Sequence, residues 1–388
     1  MIVAGAGLGG LTLALALGRA GIETVVIEQA QAFGETGAGV QLSPNATRAL
    51  FSLGLEAQVR AIGFAPQAAE LRDHKTEKLL LHNRLGPSAE ARWRAPYLQV
   101  HRADLHAALL KAVQDSGCSR FCVGARVTEV GESGVILYDG DRLNGDAVIG
   151  CDGVRSAVRA SFWGDGAPRF MGQVAWRGTV AADRLPTGLI EPVAQVWTGP
   201  RSHFVHYPVR GGALINFVAV TEEDWRIESW SEPGDKAALS RTFAAWPEPV
   251  RALIAAADVV WRWALFDRPP LARWSKGRAS LLGDAAHPMA PFLAQGAAMA
   301  IEDAVVLARC LSAGSSVETS LLRYEQARRT RAAKVQAWSR RNATLFHLSG
   351  PLAAGVFGAA SALDAITPGG GAARFDWLYS YDAAKAPI

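Results

Sequence analysis

The sequence predicts an α/β fold in which a nucleotide-binding layer carries an inserted, mainly antiparallel β-sheet and ends in helices. Three observations predict it. Residues Met1 to Ala30 read strand, glycine turn, helix, strand. The stretch from about Phe170 to Phe266 holds most of the twelve tryptophans, many β-branched residues and clear turn signals. A buried strand pattern then returns at Ala279 to Asp284, followed by two long helical stretches.

The first element is the apolar run Ile2-Val3-Ala4, which enters Gly5-Ala6-Gly7-Leu8-Gly9-Gly10. Leu11 to Ala20 is almost all Leu and Ala, Gly21 ends it, and Thr24-Val25-Val26-Ile27 is a β-branched run closing on Glu28. This is the G-x-G-x-x-G fingerprint in its strand–turn–helix setting. Gly5 permits the tight turn, Gly7 lets a pyrophosphate approach bare backbone, and Gly10 lets helix and strand pack closely, with Gly9 in the same cradle. The helix N-terminus offers unpaired N–H groups to phosphate, and Glu28 is placed to accept from ribose hydroxyls. The fingerprint alone does not choose between FAD and NAD. The opening strand has about three residues where five or six are usual, which points to a native start upstream of Met1.

Gly34 to Val40 is a glycine-rich loop, and Ser43-Pro44-Asn45 starts a helix running from Asn45 to Phe51, with Gly54 as a break. Residues Glu70 to Ala95 alternate as half-buried strands do. Leu98 to Arg102 is a strand end, and Ala103 to Val113 a helix with Asp104 in its first turn. Phe121 to Tyr138 contains a hairpin, and Asp146 to Gly150 is a buried strand leading into Cys151-Asp152-Gly153. His203 to Val209 and Leu214 to Val220 flank the turn Arg210-Gly211-Gly212 as a second hairpin. Gly296 to Leu311 and the Arg-rich Glu318 to Leu348 are helices, and Pro351 to Ile366 is a short packed helix. The expected layout is a discontinuous nucleotide domain (1–70, 98–165, 270–345), a substrate domain (71–97, 166–269), and a C-terminal helix and tail (346–388).

Composition narrows the class. Hydrophobic residues make up 49% and charged residues 20%, which is ordinary globular material. A net charge of +4 is too small and too dispersed to argue for nucleic acid. Cys118 and Cys122 have the look of a metal pair, but no matching His/Cys cluster follows, so no metal is expected. The cysteines read as reduced, cytoplasmic thiols, and no apolar run reaches the ~18–20 residues of a membrane span. Self-association into a homodimer is left open.

Two further motifs bear on the cofactor. Gly283-Asp284-Ala285-Ala286-His287-Pro288 is a second strand–loop–helix site, whose helix from Gly296 aims its positive end at an electron-rich atom. Asp152-Gly153 is a third polar anchor. Contacts so far apart in sequence suit an extended cofactor, FAD rather than NAD. Together with Arg102, these motifs resemble those of the group A flavoprotein monooxygenases, the single-component aromatic hydroxylases. Trp176-Arg177-Gly178, His206-Tyr207-Pro208 and Asp376-Trp377-Leu378-Tyr379 extend the likeness along nearly the whole chain. Ser43-Pro44-Asn45-Ala46 and the run from Ala294 to Ala304 are most similar to the salicylate-hydroxylase and 3-hydroxybenzoate-6-hydroxylase branch, and 6-hydroxynicotinate monooxygenase is similar too.

The resemblance implies that Gly5, Gly7 and Gly10 lie under the FAD pyrophosphate and Glu28 on the adenosine ribose. Arg102 would contact the ribityl-pyrophosphate stretch and Asp284 the same portion. Asp152 would support that region and NAD(P)H engagement, and Pro291 with the loop to Gly296 would edge the flavin ring. It implies that NADH or NADPH reduces FAD and that O2 then gives a flavin C4a-hydroperoxide that hydroxylates a phenolic or heteroaromatic acid. The single fingerprint agrees with a family in which no second Rossmann domain holds the nicotinamide.

A base that draws the phenol proton raises ring nucleophilicity. At period two, His203, Val205 and Tyr207 share one strand face and Phe204, His206 and Pro208 the other. The family's substrate face likewise carries a His and a Tyr, so His203 is assigned as base and Tyr207 as substrate hydrogen-bond partner. The competing reading makes both sheet residues with satisfied polar tips. Gln295 is a candidate for the substrate carboxylate or the flavin, and otherwise a helix cap; Gln41 is a candidate for lining the pocket. His206, His287 and His101 read as structural, His74, His82, His106 and His347 receive no role, and Arg177 reads as either a carboxylate partner or a structural ion pair. The Arg-rich helix from Arg323 to Arg341 reads as a solvated face. Alternatives are a related enzyme acting on a non-phenolic N-heterocycle or antibiotic, a flavoprotein NAD(P)H oxidase, and a plain NAD-dependent dehydrogenase.

Overall fold

The computed structural model describes residues 1–34, 38–131, 134–137, 139–164, 166–227, 232–348, 355–360, 362 and 370–388. The chain opens with β1 (Ile2–Ala4), α1 (Leu8–Arg19) and β2 (Thr24–Glu28), then β3 (Gly39–Leu42), α2 (Pro44–Ser52) and α3 (Glu56–Ile62). β4 (Ala68–Asp73), β5 (Leu79–Arg84), α4 (Pro87–Trp93), β6 (Leu98–His101) and α5 (Arg102–Ser116) follow. Next come β7 (Ser119–Val123), β8 (Val127–Gly131), β9 (Gly134–Leu137), β10 (Arg142–Asn144), β11 (Val148–Gly150) and α6 (Ala157–Trp163). The middle holds β12 (Arg169–Ala181), β13 (Ala194–Gly199), β14 (Ser202–Val209), β15 (Leu214–Glu222), α7 (Lys236–Thr242), α8 (Glu248–Ala256) and β16 (Trp261–Asp267). β17 (Ser275–Lys276), β18 (Ala279–Leu281), α9 (Gly296–Ser312), α10 (Val317–Leu345) and a short helix at Asp376–Tyr379 complete the chain.

A six-stranded sheet in the order β17-β18-β11-β1-β2-β7 is parallel except for its β17 edge. Its central strands β18, β11 and β1 are short, fully buried runs, as strands covered on both faces are. β1 is fully buried, and α1 packs against both α5 and α9, which explains a helix that is apolar nearly all round. The second sheet, in the order β16-β12-β15-β14-β13-β4-β5, is antiparallel except for the β4–β13 pair. α7 and α8 cover one of its faces over a core that includes Trp176, Phe204, Phe217 and Phe243. The other face, which carries His203 and Tyr207, turns toward β3, the 291–293 turn and the end of α10. Smaller sheets pair β3 with β6 and join β8, β9 and β10.

The main departure from the sequence reading is α4. The stretch expected to be strand up to Ala95 instead turns helical at Pro87, a favourable first helical position. Ala89 and Trp93 lie four apart on its buried face, and the Trp93 ring meets Tyr379 edge-on at 4.9 Å. Both join the core under the parallel sheet rather than that of the second sheet. The expected helix over Pro351 to Ile366 lies outside the described residues except at 355–360 and 362, as does the centre of the Gly34 to Val40 loop. Among the described residues, no helix is long and apolar enough to cross a membrane, and no group of three or more His, Cys, Asp or Glu could hold a metal ion.

Candidate active site

Gly5, Glu28, Cys151-Asp152 and Gly283-Asp284 each follow or end a strand of the parallel sheet, so chain topology gathers them along its C-terminal edge. Open α/β sheets bind ligands in the crevice at that edge. Here the crevice is a cleft of about 650 Å3 whose lining includes Gly5, Gly7, Glu28, Arg102, Asp152 and Arg177. Gly5 has φ +104°, and a Cβ there would lie 2.5 Å from the Cys151 carbonyl oxygen. A Cβ on Gly10 would lie 1.9 Å from the Gly5 carbonyl oxygen. Gly7 differs: no atom lies within 4 Å of where its Cβ would be, so its backbone faces open cleft. Gly9 is better explained by packing than by the cofactor cradle, since its Cβ would meet Leu282 at 2.8 Å and Ala300 at 3.1 Å where α1 crosses α9.

Glu28 accepts hydrogen bonds from the backbone N–H groups of Ala6 (3.0 Å) and Ala30 (2.8 Å), which hold its carboxylate at the cleft rim. Asp152 is split. Its Oδ2 accepts from Ala157 N (2.7 Å) and Val158 N (3.3 Å) at the start of α6, while its Oδ1 is buried with no partner among the described residues. Burial raises the Asp152 carboxyl pKa, against these hydrogen bonds. Asp284 sits in the turn Gly283–Ala285, its Oδ1 3.9 Å from where a Gly296 Cβ would be, so it faces the start of α9. Its side chain is exposed, while the protein packed around it raises the carboxyl pKa against the pull of His287 and Arg102. Pro291 opens a one-turn helix, and Ala294 takes φ +51°, which swings the chain into Gly296. Arg102 begins α5 and its backbone N–H donates to Ala38 O at 2.8 Å.

The loop that carries Asp284 is fixed from below. Asp303 of α9 accepts from Gly283 N (3.1 Å) and Arg328 Nε (2.7 Å), and its Oδ2 lies 2.5 Å from His287 Nε2. Glu302 beside it pairs with Arg328 (2.6 Å) and Arg331 (2.8 Å) and accepts from Asn45 Nδ2 (2.6 Å). Burial alone would push Asp303 up, but His287 and Arg328 outweigh it and bring its carboxyl pKa to about 2. The Arg-rich helix is therefore not simply a solvated face, because Arg328 is fully buried.

On the second sheet, His203 and Tyr207 share a face of β14. His203 is 2% exposed, and its ring packs edge-on against Phe292 (5.2 Å) and Phe346 (5.3 Å). Its Nδ1 lies 3.0 Å from His347 Nε2, and His347 Nδ1 lies 2.8 Å from Glu222 Oε1. Burial, and then His347, hold the His203 pKa well below the usual imidazole value. Tyr207 is buried against Gly39, where a Cβ would lie 2.5 Å from its ring. Burial raises the Tyr207 pKa, with Gln41 beside it opposing. Gln41 Oε1 accepts from the Tyr97 hydroxyl at 2.5 Å. Phe204 and His206 face the other way: Phe204 stacks on Phe217 at 5.2 Å, and His206 Nε2 accepts from Trp197 Nε1 at 3.2 Å. Arg177 is buried, its guanidinium 5.4 Å over the Trp263 ring.

The alternative reading of Gln295 as a helix cap needs correction. Its buried amide donates to Ser43 Oγ (2.9 Å) and accepts from Asn45 Nδ2 (3.2 Å), so it ties the start of α9 to the start of α2. It makes no side-chain capping bond. His347 was missed. Nothing in a single sequence marks a histidine whose partner lies 144 residues away.

The orphaned Asp152 oxygen, the open backbone at Gly7 and the α1 N-terminus fit an extended, diphosphate-bearing cofactor. The chain matches the FAD binding domain family over residues 1–339. It is 41% identical over 390 residues to a 3-amino-4-hydroxybenzoate 2-monooxygenase of Streptomyces platensis, covering 98% of this chain and 96% of the relative. It is 36% identical over 359 residues to 3-hydroxybenzoate 6-hydroxylase 1 of Aquipseudomonas alcaligenes, covering 91% of each. Among solved structures, a salicylate hydroxylase substrate complex superposes with a TM-score of 0.80 at 26% identity, covering 100% of this chain and 98% of that one.

Proposed function

Since the chain belongs to the FAD binding domain family, we propose that it hydroxylates a phenolic or heteroaromatic acid at the face of β14 that carries His203 and Tyr207. It is an FAD-dependent monooxygenase that uses NAD(P)H and O2. When bound, FAD supplies hydride acceptance from NAD(P)H and activation of O2.

The chain's own residues do the rest. In this reading the α1 N-terminus and the bare Gly7 backbone receive the pyrophosphate, with Gly5 and Gly10 shaping the turn beneath. Glu28 reaches the ribose, and Arg102 balances phosphate charge. Asp152 would supply an acceptor in the cleft and Asp284 one at the start of α9, and Pro291 and the dipole of α9 at Gly296 would serve the flavin ring, the dipole steadying its negative charge. His203 takes the phenol proton. Its lowered pKa keeps the imidazole neutral, the form that accepts. Tyr207, held protonated by burial, donates to the substrate, and Gln41 orients it.

The observation that carries this reading is the placement of a buried imidazole against Phe292, in the loop that leads from Asp284 to α9. Substrate-stimulated NAD(P)H oxidation tests it, measured with a panel of hydroxybenzoates and hydroxynicotinates. His203→Ala is expected to lower turnover by about 10²–10⁴-fold while flavin content stays unchanged. Unchanged substrate-stimulated turnover would overturn the base assignment.

A further inference from the structure

His203 does not end at the strand that carries it. His347 stands beside it, just past the end of α10, with its Nε2 3.0 Å from His203 Nδ1. Behind it, Glu222 at the end of β15 lies 2.8 Å from His347 Nδ1. The Glu222 side chain is 34% exposed, and its Oε2 accepts from Arg201 Nε at 3.0 Å, on a side chain 77% exposed. Three groups in hydrogen-bond contact thus lead from a fully buried imidazole to the surface. Phe292 and Phe346 pack against the His203 ring.

With His347 neutral, the donors and acceptors along this line have one consistent order. A carboxylate only accepts, so Glu222 takes the proton of His347 Nδ1. That leaves His347 Nε2 as an acceptor, which takes the proton of His203 Nδ1. The lone pair of His203 then stands at Nε2. We propose that His347 and Glu222 are positioning residues that hold His203 in this tautomer and carry the proton it receives out to the surface. The proposal rests on the reading of His203 as the base.

The step balances without redox change. The phenol O–H breaks and its proton bonds to His203 Nε2. The Nδ1 proton of His203 passes to His347 Nε2, and the Nδ1 proton of His347 passes to Glu222 and then to water. Each imidazole gains one proton and loses one, and the phenolate remains in the pocket. Among the described residues, the charged and titratable groups in contact with this line are His347, Glu222 and Arg201. Burial raises the Glu222 pKa, but His347 and Arg201 outweigh it and keep the carboxylate ionised.

The test uses the flavin-loaded enzyme with 3-hydroxybenzoate or 3-amino-4-hydroxybenzoate, whichever accelerates NAD(P)H oxidation. It records the pH profile of kcat and, separately, the ultraviolet absorbance of the bound phenol against pH. His347→Phe, which keeps the aromatic packing, and Glu222→Gln, at a partly exposed site, are each expected to raise the pH at which the bound phenol ionises by about one unit. Each should lower kcat at pH 7 by about tenfold, with KM changed less than about threefold. His347→Gln accepts from His203 and donates to Glu222, so it should hold the tautomer yet stay slow. Wild-type turnover in His347→Gln would overturn the proton exit. An unmoved phenol titration in both His347→Phe and Glu222→Gln, when His203→Ala abolishes it, would overturn the proposal alone. A titration that survives His203→Ala would overturn the base assignment beneath it.

Discussion

Gly7 and Gly10 stand three residues apart and do opposite things. Gly10 is glycine because the protein's own backbone is in the way: a Cβ there would be 1.9 Å from the Gly5 carbonyl oxygen. Gly7 is glycine with nothing of the protein near it. Gly7→Val should therefore leave the melting temperature of the flavin-free protein nearly unchanged and weaken FAD binding by about 2 kcal/mol, roughly thirtyfold, through lost contacts to phosphate. Gly10→Val should fail to fold. Bound-flavin absorbance and thermal melting read both outcomes. The open space at Gly7 agrees with the ligand contact proposed for it, and the role of Gly10 against backbone was legible in the sequence because the fingerprint's spacing fixes it. The roles of Gly9 and Gln295 were not, because each is decided by partners far along the chain: Leu282 and Ala300 for one, Ser43 and Asn45 for the other.

The helices α9 and α10 are the next scale. Their lengths were readable from composition, but the charges between them were not read. The buried side of α10 includes Leu321, Tyr324, Arg328, Ala332 and Val335, spaced three and four apart. Arg328 lies within that stripe, which is the signal a helical-face count would have caught. Removing one partner of a buried ion pair strands the other, so Arg328→Ala should destabilise the protein by about 3–5 kcal/mol in denaturant unfolding. The network also has a pH signature. The folded Asp303 carboxyl titrates at about 2, below its ordinary value of 3.8. Its contribution is therefore fully present above about pH 4 and is lost as pH falls toward 2. Unfolding measured across that window should lose stability on acidification, and Asp303→Asn, already destabilised, should show a shallower slope.

At the scale of the whole molecule, the proposed site draws on both large sheets. The parallel sheet contributes the edge with Gly5, Glu28, Asp152 and Asp284, and the second sheet contributes β14. The fold class was legible because strand composition changes from short, fully buried runs to alternating, tryptophan-rich ones. The meeting of these parts was not, because it depends on the 291–293 turn packing against His203 and on the chain beyond α10 returning to the same face. α4 shows the same limit, since its partners Tyr379 and Asp376 come from the far end of the sequence. The central claim is that this joined site transfers an oxygen atom to an aromatic ring. The most direct measurement is turnover under 18O2 with 3-hydroxybenzoate, 3-amino-4-hydroxybenzoate and 6-hydroxynicotinate, with mass spectrometry of the product and an assay for peroxide. The account predicts that one acid accelerates NAD(P)H oxidation and gains a single labelled oxygen while peroxide stays low. Oxidation whose electrons all appear as peroxide, with no labelled product from any of the acids, would contradict it.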